Sequence, residues 1–344
     1  MIFKDEAFFK TVRDFLTIYL PKQKCYSPNT VNSYRITLNL FIDYLVKENH
    51  IPMHKVSFSE LKRDNVIAFL NWLQSERSSI SSTRNQRLMA LKSFAKYAGF
   101  MNVAHIAIHV DLGNVPIQKT PLKTVEFLSD DALKALLLQP DTRSCIGLRN
   151  QFFMILMYDT AARCQEMLDL KLKDFETRSN YPFVYLTGKG GKTRTVPLMT
   201  KTINHLHNYL DKFHPSDTRK DNDYLFFTTI HGKKGQMSPD NAASFMKKYG
   251  EAAKLICAKI PDRVHPHQLR HTRAIHLYRG GMPLALLSEF LGHAEISTTQ
   301  VYAYADTEMK RNAIQKACPT DETTFEAPIW ENDDDMIRKL YGLV

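Results

Sequence analysis

Residues 265–302, HPHQLRHTRAIHLYRGGMPLALLSEFLGHAEISTTQVY, decide how this 344-residue chain is read. Pro266 heads a run in which Leu269, Ala274, Ile275, Leu277 and Tyr278 recur at helical spacing until Gly280-Gly281 break it. Pro283 opens a second run, Leu284 to Leu291, which Gly292 closes as a left-handed helix cap would. Ser297 with Gln300 has the form of a capping box, so a third helix is predicted there with Tyr302 in its early turns. Together they present His267, Arg270, His271, His293 and Tyr302, with no acidic residue among the five.

That set suits an anionic substrate under attack. Arginine offers a fixed fork of donors matched to phosphate oxygens. Imidazole donates to an oxyanion or moves a proton near neutral pH. A phenol becomes a nucleophile when neighbouring cations and hydrogen bonds activate it. The combination suggests phosphoryl transfer through a covalent phosphotyrosine, although one stretch alone does not decide it. His267 and His271 stand at i and i+4, the spacing of a helical zinc pair. No acidic or cysteine ligand accompanies them and Arg270 lies between, so no metal site is expected.

The length favours two domains over one. No apolar run approaches the roughly 20 residues of a membrane span, and MIFKDEAFFK lacks the apolar core of a signal peptide. Cys25, Cys145, Cys164, Cys257 and Cys318 are odd in number and scattered, which reads as a reducing cytoplasm. Net charge is +10, yet residues 319–344 hold 2 Lys/Arg against 7 Asp/Glu, leaving 44 against 29, or +15, for the rest. A body so basic points to a polyanion, nucleic acid first; a plain cationic surface fits the charge equally well.

Residues 5–100 read as all helix. Ser27-Pro28 starts one helix, with Val31, Tyr34, Leu38, Phe41, Ile42 and Leu45 on one face. A second is predicted over Ser59–Gln74. Ser81 or Ser82 caps a third, with Leu88, Leu91, Phe94, Ala95 and Ala98 inward and Arg84, Arg87, Lys92 and Lys96 on its other faces. Residues 1–110 hold 15 Lys/Arg and 8 Asp/Glu. Such a face can lie along a DNA groove, although any single lysine is better explained as the solvated side of an amphipathic helix. Residues 111–126, with two prolines and no periodicity, read as a linker, the boundary falling near residue 120.

Beyond the linker, Leu128-Ser129-Asp130-Asp131 starts a helix with a good cap. An apolar helix over 146–162 ends at Arg163, which either meets a substrate anion or pairs internally with Glu166 or Asp169. Residues 183–186 and 194–198 change to strand period around a glycine-rich tip bearing Lys189 and Lys192. A phosphate-binding P-loop is excluded, because position 186 is Leu where that motif needs Gly and a strand follows instead of a helix.

In order, Arg163 (AARCQEMLDL), Lys189 (TGKGGKTRTVPL), His267 and Arg270 (HPHQLRHT), His293 (LGH) and Tyr302 (STTQVY) resemble the tyrosine recombinase family, the phage-integrase and Xer-like enzymes, over about residues 5–310. The resemblance implies a mainly α chain. An N-terminal helical, SAM-like core-binding domain (1–110) would join through a linker (111–126) to a mostly helical catalytic domain (127–318) with a small antiparallel β-sheet, the two clamping DNA. It implies that Tyr302 attacks the scissile phosphate to form a 3′-phosphotyrosyl link and free a 5′-hydroxyl. Arg163 and Arg270 would hold the non-bridging oxygens and His293 donate another hydrogen bond. His267 would assist proton removal, Lys189 protonate the leaving oxygen and His271 support the site from behind. It further implies a double-stranded DNA partner, no cofactor, a homo-tetramer in synapsis and a monomer free of DNA, in the cytoplasm at the nucleoid. Alternatives are topoisomerase-like relaxation and a non-catalytic DNA-binding regulator.

Gln165 stands where the family often has Ser, with Cys164 beside it. Tyr304 would point about 200° from Tyr302 on a helix. Lys192 is a weaker rival to Lys189. Arg84, Arg87, Lys92 and Lys192 are the expected DNA contacts. The acidic tail, 319–344, carries Phe325, Trp330, Ile337, Leu340 and Tyr341. A helix over 333–342 is predicted to dock on a basic, apolar groove of its own or a neighbouring subunit.

Overall fold

The computed structural model describes residues 6–121, 125–305, 311 and 334–343, and divides the chain into two units, 1–123 and 124–344. Among the described residues no helix is long and apolar enough to cross a membrane.

The first unit is all helix: α1 (Glu6–Asp14), α2 (Pro28–Lys47), α3 (Arg63–Ser75), α4 (Ser81–Met101) and α5 (Ile106–Gly113). After α1 the chain widens into a π-helical stretch, Phe15–Gln23, that contains Pro21. Ser27 caps α2 by accepting from the Thr30 amide, as the sequence indicates. Helix α3 starts four residues later than predicted because Ser57 first caps a short 3₁₀ turn over Phe58–Glu60. Phe8, Phe15, Phe41, Phe69, Leu88 and Phe94 build the core.

The unit runs on past residue 110. Leu112 and Val115 are buried in its core, and the Gln118 amide and carbonyl bond the Asn85 side chain, so 111–118 is a packed strap, not a linker. The prolines in the stretch masked the short Ile106–Leu112 periodicity. Of the cations assigned to the outside of α4, Lys96 is exposed and the other three turn into the unit. Arg84 is only 4 % exposed, and Arg87 Nη1 donates to the Ser33 carbonyl (3.2 Å) and Thr37 Oγ1 (3.0 Å). Lys92 Nζ donates to the Gly113 and Val115 carbonyls (3.0 and 2.8 Å), the unpaired acceptors at the end of α5. Long apolar stems let such groups reach inward, and helical spacing alone cannot show this.

The second unit contains α6 (Asp130–Leu137), α7 (Cys145–Thr160), α8 (Cys164–Asp169), α9 (Thr200–Phe213), α10 (Pro239–Lys254), α11 (Pro266–Arg279), α12 (Leu284–Leu291) and α13 (Ser297–Ala305). A three-stranded antiparallel sheet joins β1 (Phe175–Glu176), β2 (Phe183–Thr187) and β3 (Thr193–Pro197), in which Val184 pairs with Val196 and Thr187 with Thr193. A separate hairpin, β4 (Phe227–Ile230) and β5 (Lys233–Gln236), was not anticipated. Its turn, His231-Gly232, has both φ angles positive (49° and 73°), the geometry of a tight hairpin turn. Phe152, Phe153, Leu156, Tyr209, Phe226 and Leu269 form the main core, and a smaller one gathers Ala161, Ala274, Ile275, Leu287, Leu291 and Tyr302.

In the tail, residues 319–333 lie outside those described, and α14 (Asp334–Leu340) follows. It buries no residue: Met336 and Ile337 are half-buried, and Leu340, Tyr341 and Leu343 are 63 %, 78 % and 73 % exposed. The expected docking into this chain's own groove is therefore not observed for these three side chains.

Helix α11 is set by a close approach of α10 to the segment leading into it. A Cβ at Gly250 would lie 2.6 Å from Cβ and Cγ2 of buried Val264. Overpacking of that kind costs about 1–3 kcal/mol, which outweighs the roughly 1 kcal/mol by which alanine favours a helix. Gly250→Ala should lower the thermal midpoint, and Val264→Ala in the same chain should cost less than the two single losses summed, measured as a double-mutant cycle.

Candidate active site

The smaller core is where the singled-out residues meet. Pro266 begins α11, and its one-turn spacing sets His267, Arg270 and His271 along one side. Gly280 and Gly281 end the helix; Gly292, at φ 63°, ends α12 and turns the chain toward His293. Helix α13 begins at Ser297 as predicted, but the Ser297 hydroxyl donates to Glu295 Oε2 (3.2 Å) instead of capping the helix.

Arg270 is 3 % exposed, and its fork is fixed by two backbone carbonyls: Nη1 donates to Ala161 (2.6 Å) and Nη2 to Leu291 (2.7 Å). Ala161 takes the left-handed conformation (φ 48°) that terminates α7. Burial, then the Arg163 charge, push the Arg270 guanidinium down to about 10, so it stays cationic at neutral pH.

Tyr302 is 1 % exposed, and its hydroxyl is 2.9 Å from His271 Nδ1. The sequence reading assigned the tyrosine's proton to His267 and kept His271 in the background. In the structure it is His271 that touches the phenol, while His267 is exposed one turn earlier. Burial, followed by the His267 and Arg270 charges, holds His271 down at about 4. Burial raises the Tyr302 phenol against the opposing pull of Arg270 and Arg163. His293 Nδ1 lies 2.8 Å from Thr299 Oγ1, and burial and the Arg270 and Arg163 charges hold the ring at about 4. His267 is also pushed down, first by desolvation and then by His265 and Arg270.

Arg163 makes the internal pair. Its Nη1 donates to Glu166 Oε1 (2.6 Å), its amide to Oε2 (2.9 Å), and Nη2 to the Gly292 carbonyl (3.1 Å), leaving the side chain 34 % exposed. Being paired does not withdraw it from a substrate, because the carboxylate fixes where the guanidinium sits. A residue not singled out from the sequence shares that carboxylate: Arg194 on β3 donates through Nη2 and Nη1 to Glu166 (2.8 and 3.2 Å) and through Nε to the Phe290 carbonyl (2.9 Å). By strand period it shares the inward face of β3 with buried Val196.

Lys189 occupies the tip between β2 and β3; its side chain and that of Tyr304 lie outside those described. The preceding Gly188 is at the site, since a Cβ there would be 2.9 Å from Glu166 Oε1 and 3.5 Å from Arg163 Nη1. Lys192 is exposed. His265 and His276 stand outside the cluster, His276 joining Tyr158 Oη (2.9 Å) to the Leu128 carbonyl (3.1 Å).

Glu166 is 4 % exposed. Burial alone would raise its carboxyl, but hydrogen bonds from Arg194 and from the Arg163 amide, then the Arg194 charge and the Arg163 side-chain bond, hold it at about 2. A carboxyl held below its unfolded value of 4.5 contributes stability that is complete above about pH 5 and lost as pH falls toward 2. Acid titration of the folded protein, followed by circular dichroism, should show a loss on the order of 3 kcal/mol in that window. Glu166→Gln should be less stable at pH 7 and flatter below pH 5.

Known proteins resemble this chain over most of its length. The profile of the phage integrase family matches residues 126–309, and that of the phage integrase N-terminal SAM-like domain matches residues 14–99. Tyrosine recombinase XerA of Pyrococcus horikoshii is 32 % identical over 292 residues, covering 85 % of this chain and 88 % of that protein. Among solved structures, the XerH site-specific recombinase in a post-cleavage complex with its difH substrate aligns with TM-score 0.66 at 22 % identity, over 83 % of this chain and 79 % of that one. A lambda integrase tetramer bound to a Holliday junction aligns with TM-score 0.63 at 13 % identity, over 86 % and 76 %.

Proposed function

The chain belongs to the phage integrase family of tyrosine recombinases, DNA strand-transferring enzymes, and on that premise we propose that it is a site-specific recombinase that cuts and rejoins double-stranded DNA through Tyr302. The observation that carries this reading is the Tyr302 hydroxyl on His271, backed by Arg270 and Arg163, whose guanidinium planes are set before any phosphate arrives.

In this mechanism the two guanidinium groups and His293 hold the non-bridging oxygens of the scissile phosphate. The phenol oxygen bonds to phosphorus, the bond to the 5′-oxygen breaks, and the DNA 3′ end is left on Tyr302. The phenol proton leaves along the bond to His271. That ring is a weak base in the DNA-free site, and the phosphate's negative charge raises it. Lys189 protonates the 5′-oxygen, and attack by a 5′-hydroxyl of the partner duplex reverses the step. The link conserves the phosphodiester, so the residues need neither a metal ion nor a nucleotide.

Tyr302 is covered in the DNA-free chain, so attack requires α13 to shift. A shift that keeps the phenol on His271 exposes a buried aromatic ring, at a cost of roughly 1.5–3 kcal/mol. Specific DNA binding typically supplies about 11–15 kcal/mol, so substrate engagement suffices to open the site. Of the four cations singled out for DNA contact, exposed Lys192 is assigned to phosphate; Arg87 and Lys92 act by holding the N-terminal helices, and buried Arg84 is not assigned to DNA. The apolar side chains left uncovered on α14 support an assembly in which the tail docks on a neighbouring subunit of a tetramer.

The test is a nicked suicide duplex carrying a site selected from random DNA. The wild type should form a covalent adduct stable to denaturant, and Tyr302→Phe none while binding DNA equally. An adduct on Tyr302→Phe would sink the reading. Binding without an adduct in the wild type would mark a regulator, and relaxation of plasmids lacking the site a topoisomerase. Deleting residues 325–344 should leave DNA binding by the monomer intact and abolish tetrameric complexes in sedimentation; unchanged tetramers would refute the tail's role.

A further inference from the structure

We propose that Arg194 is a positioning residue of the recombination site, a strut that holds Arg163, the lysine-bearing hairpin and the loop carrying His293 in one register. This rests on the recombinase reading above.

Three observations carry it. First, Arg194 on β3 is five residues after Lys189, and its guanidinium crosses from the hairpin to grip both oxygens of Glu166 (2.8 and 3.2 Å). The same carboxylate holds Nη1 of Arg163, so the two cations share one buried anion. Second, Arg194 Nε donates to the Phe290 carbonyl in the last turn of α12, two residues before Gly292 and three before His293. Third, Gly292 packs on the same guanidinium: a Cβ there would be 2.8 Å from Nη1 and 3.2 Å from Cζ, and the Gly292 carbonyl receives Arg163 Nη2. The contacts close a ring through β3, α8 and α12.

The division of labour between the arginines follows. Arg194 is 12 % exposed and spends Nε, Nη1 and Nη2 on Glu166 and Phe290, bonds that tie β3 to α8 and α12. Arg163, 34 % exposed, is the more open of the two cations on Glu166. A lysine cannot replace the strut, since a single ammonium lacks the planar fork that serves Glu166 and Phe290 together.

The experiment compares Arg194→Ala and Arg194→Lys with the wild type on the nicked suicide duplex, reading cleavage rate, DNA affinity, thermal midpoint and the pH profile of cleavage. A misplacement of about 1 Å at a reacting centre costs on the order of 100-fold in rate. Arg194→Ala should therefore cleave about 100-fold more slowly and Arg194→Lys about 10-fold, with affinity within about twofold. Without Arg194 the Glu166 carboxyl rises, so the acid limb of cleavage should move to higher pH in Arg194→Ala, and added guanidinium ion should restore part of the rate. A role confined to folding would lower the midpoint and leave the acid limb unmoved.

Wild-type cleavage by either variant, or a loss wholly explained by unfolding or weaker binding, overturns the proposal. Should Arg194→Ala not fold, Arg194→Lys decides: slower cleavage at unchanged affinity supports the strut, and an unchanged rate removes it. If the wild type itself forms no Tyr302 adduct, the recombinase reading falls and takes this one with it; a wild type that cleaves beside an unaffected variant sinks the strut alone.

Discussion

One buried carboxylate holds the site together. Glu166 is nearly inaccessible to water, an arrangement that costs several kcal/mol for an unpaired charge, and here two guanidinium groups and a backbone amide meet it. Removing one partner from such a set is worse than never having built it, because the remaining charges stay buried. The positions of Arg163, the root of the β2–β3 hairpin and the end of α12 are therefore fixed by a single anion. The exposed guanidinium of Arg163 owes its geometry to an acid that is buried behind it.

The second constraint is how Tyr302 is held. It belongs to a small core with Ala161, Ala274, Ile275, Leu287 and Leu291, so the phenol proposed as nucleophile is also packing material. Neutral His271 covers its hydroxyl, and the neighbouring cations and burial keep that imidazole from charging. Both groups are thereby held neutral. The stored form is secured by only a few kcal/mol, within reach of DNA binding.

The N-terminal unit illustrates how a cation's role depends on distance. Lys92 and Arg87 occupy outward positions on α4 by helical period, yet their donors close carbonyls of α5 and α2. An acceptor left over at a helix end competes with solvent for any long flexible donor nearby, and here it wins. Positive charge counted along the sequence is therefore not positive charge offered at the surface.

Sequence alone determined the order of elements around the site. Pro266 and Pro283 starting helices, Gly292 ending one and the TGKGGKT hairpin tip are backbone requirements written in single residues, and each helix or turn formed where they placed it. The resemblance the sequence carries brought Arg163, Lys189, His267, Arg270, His293 and Tyr302 into view as one set, with His271 behind them. The tertiary structure decided which histidine meets the phenol, because i and i+4 positions share a face and only the packing of α13 separates them. It decided that Glu166 serves two arginines, that Arg194 is one of them, and that residues 111–118 belong to the first unit. Each of those depends on a contact between residues far apart in the chain, which local period and capping chemistry do not encode.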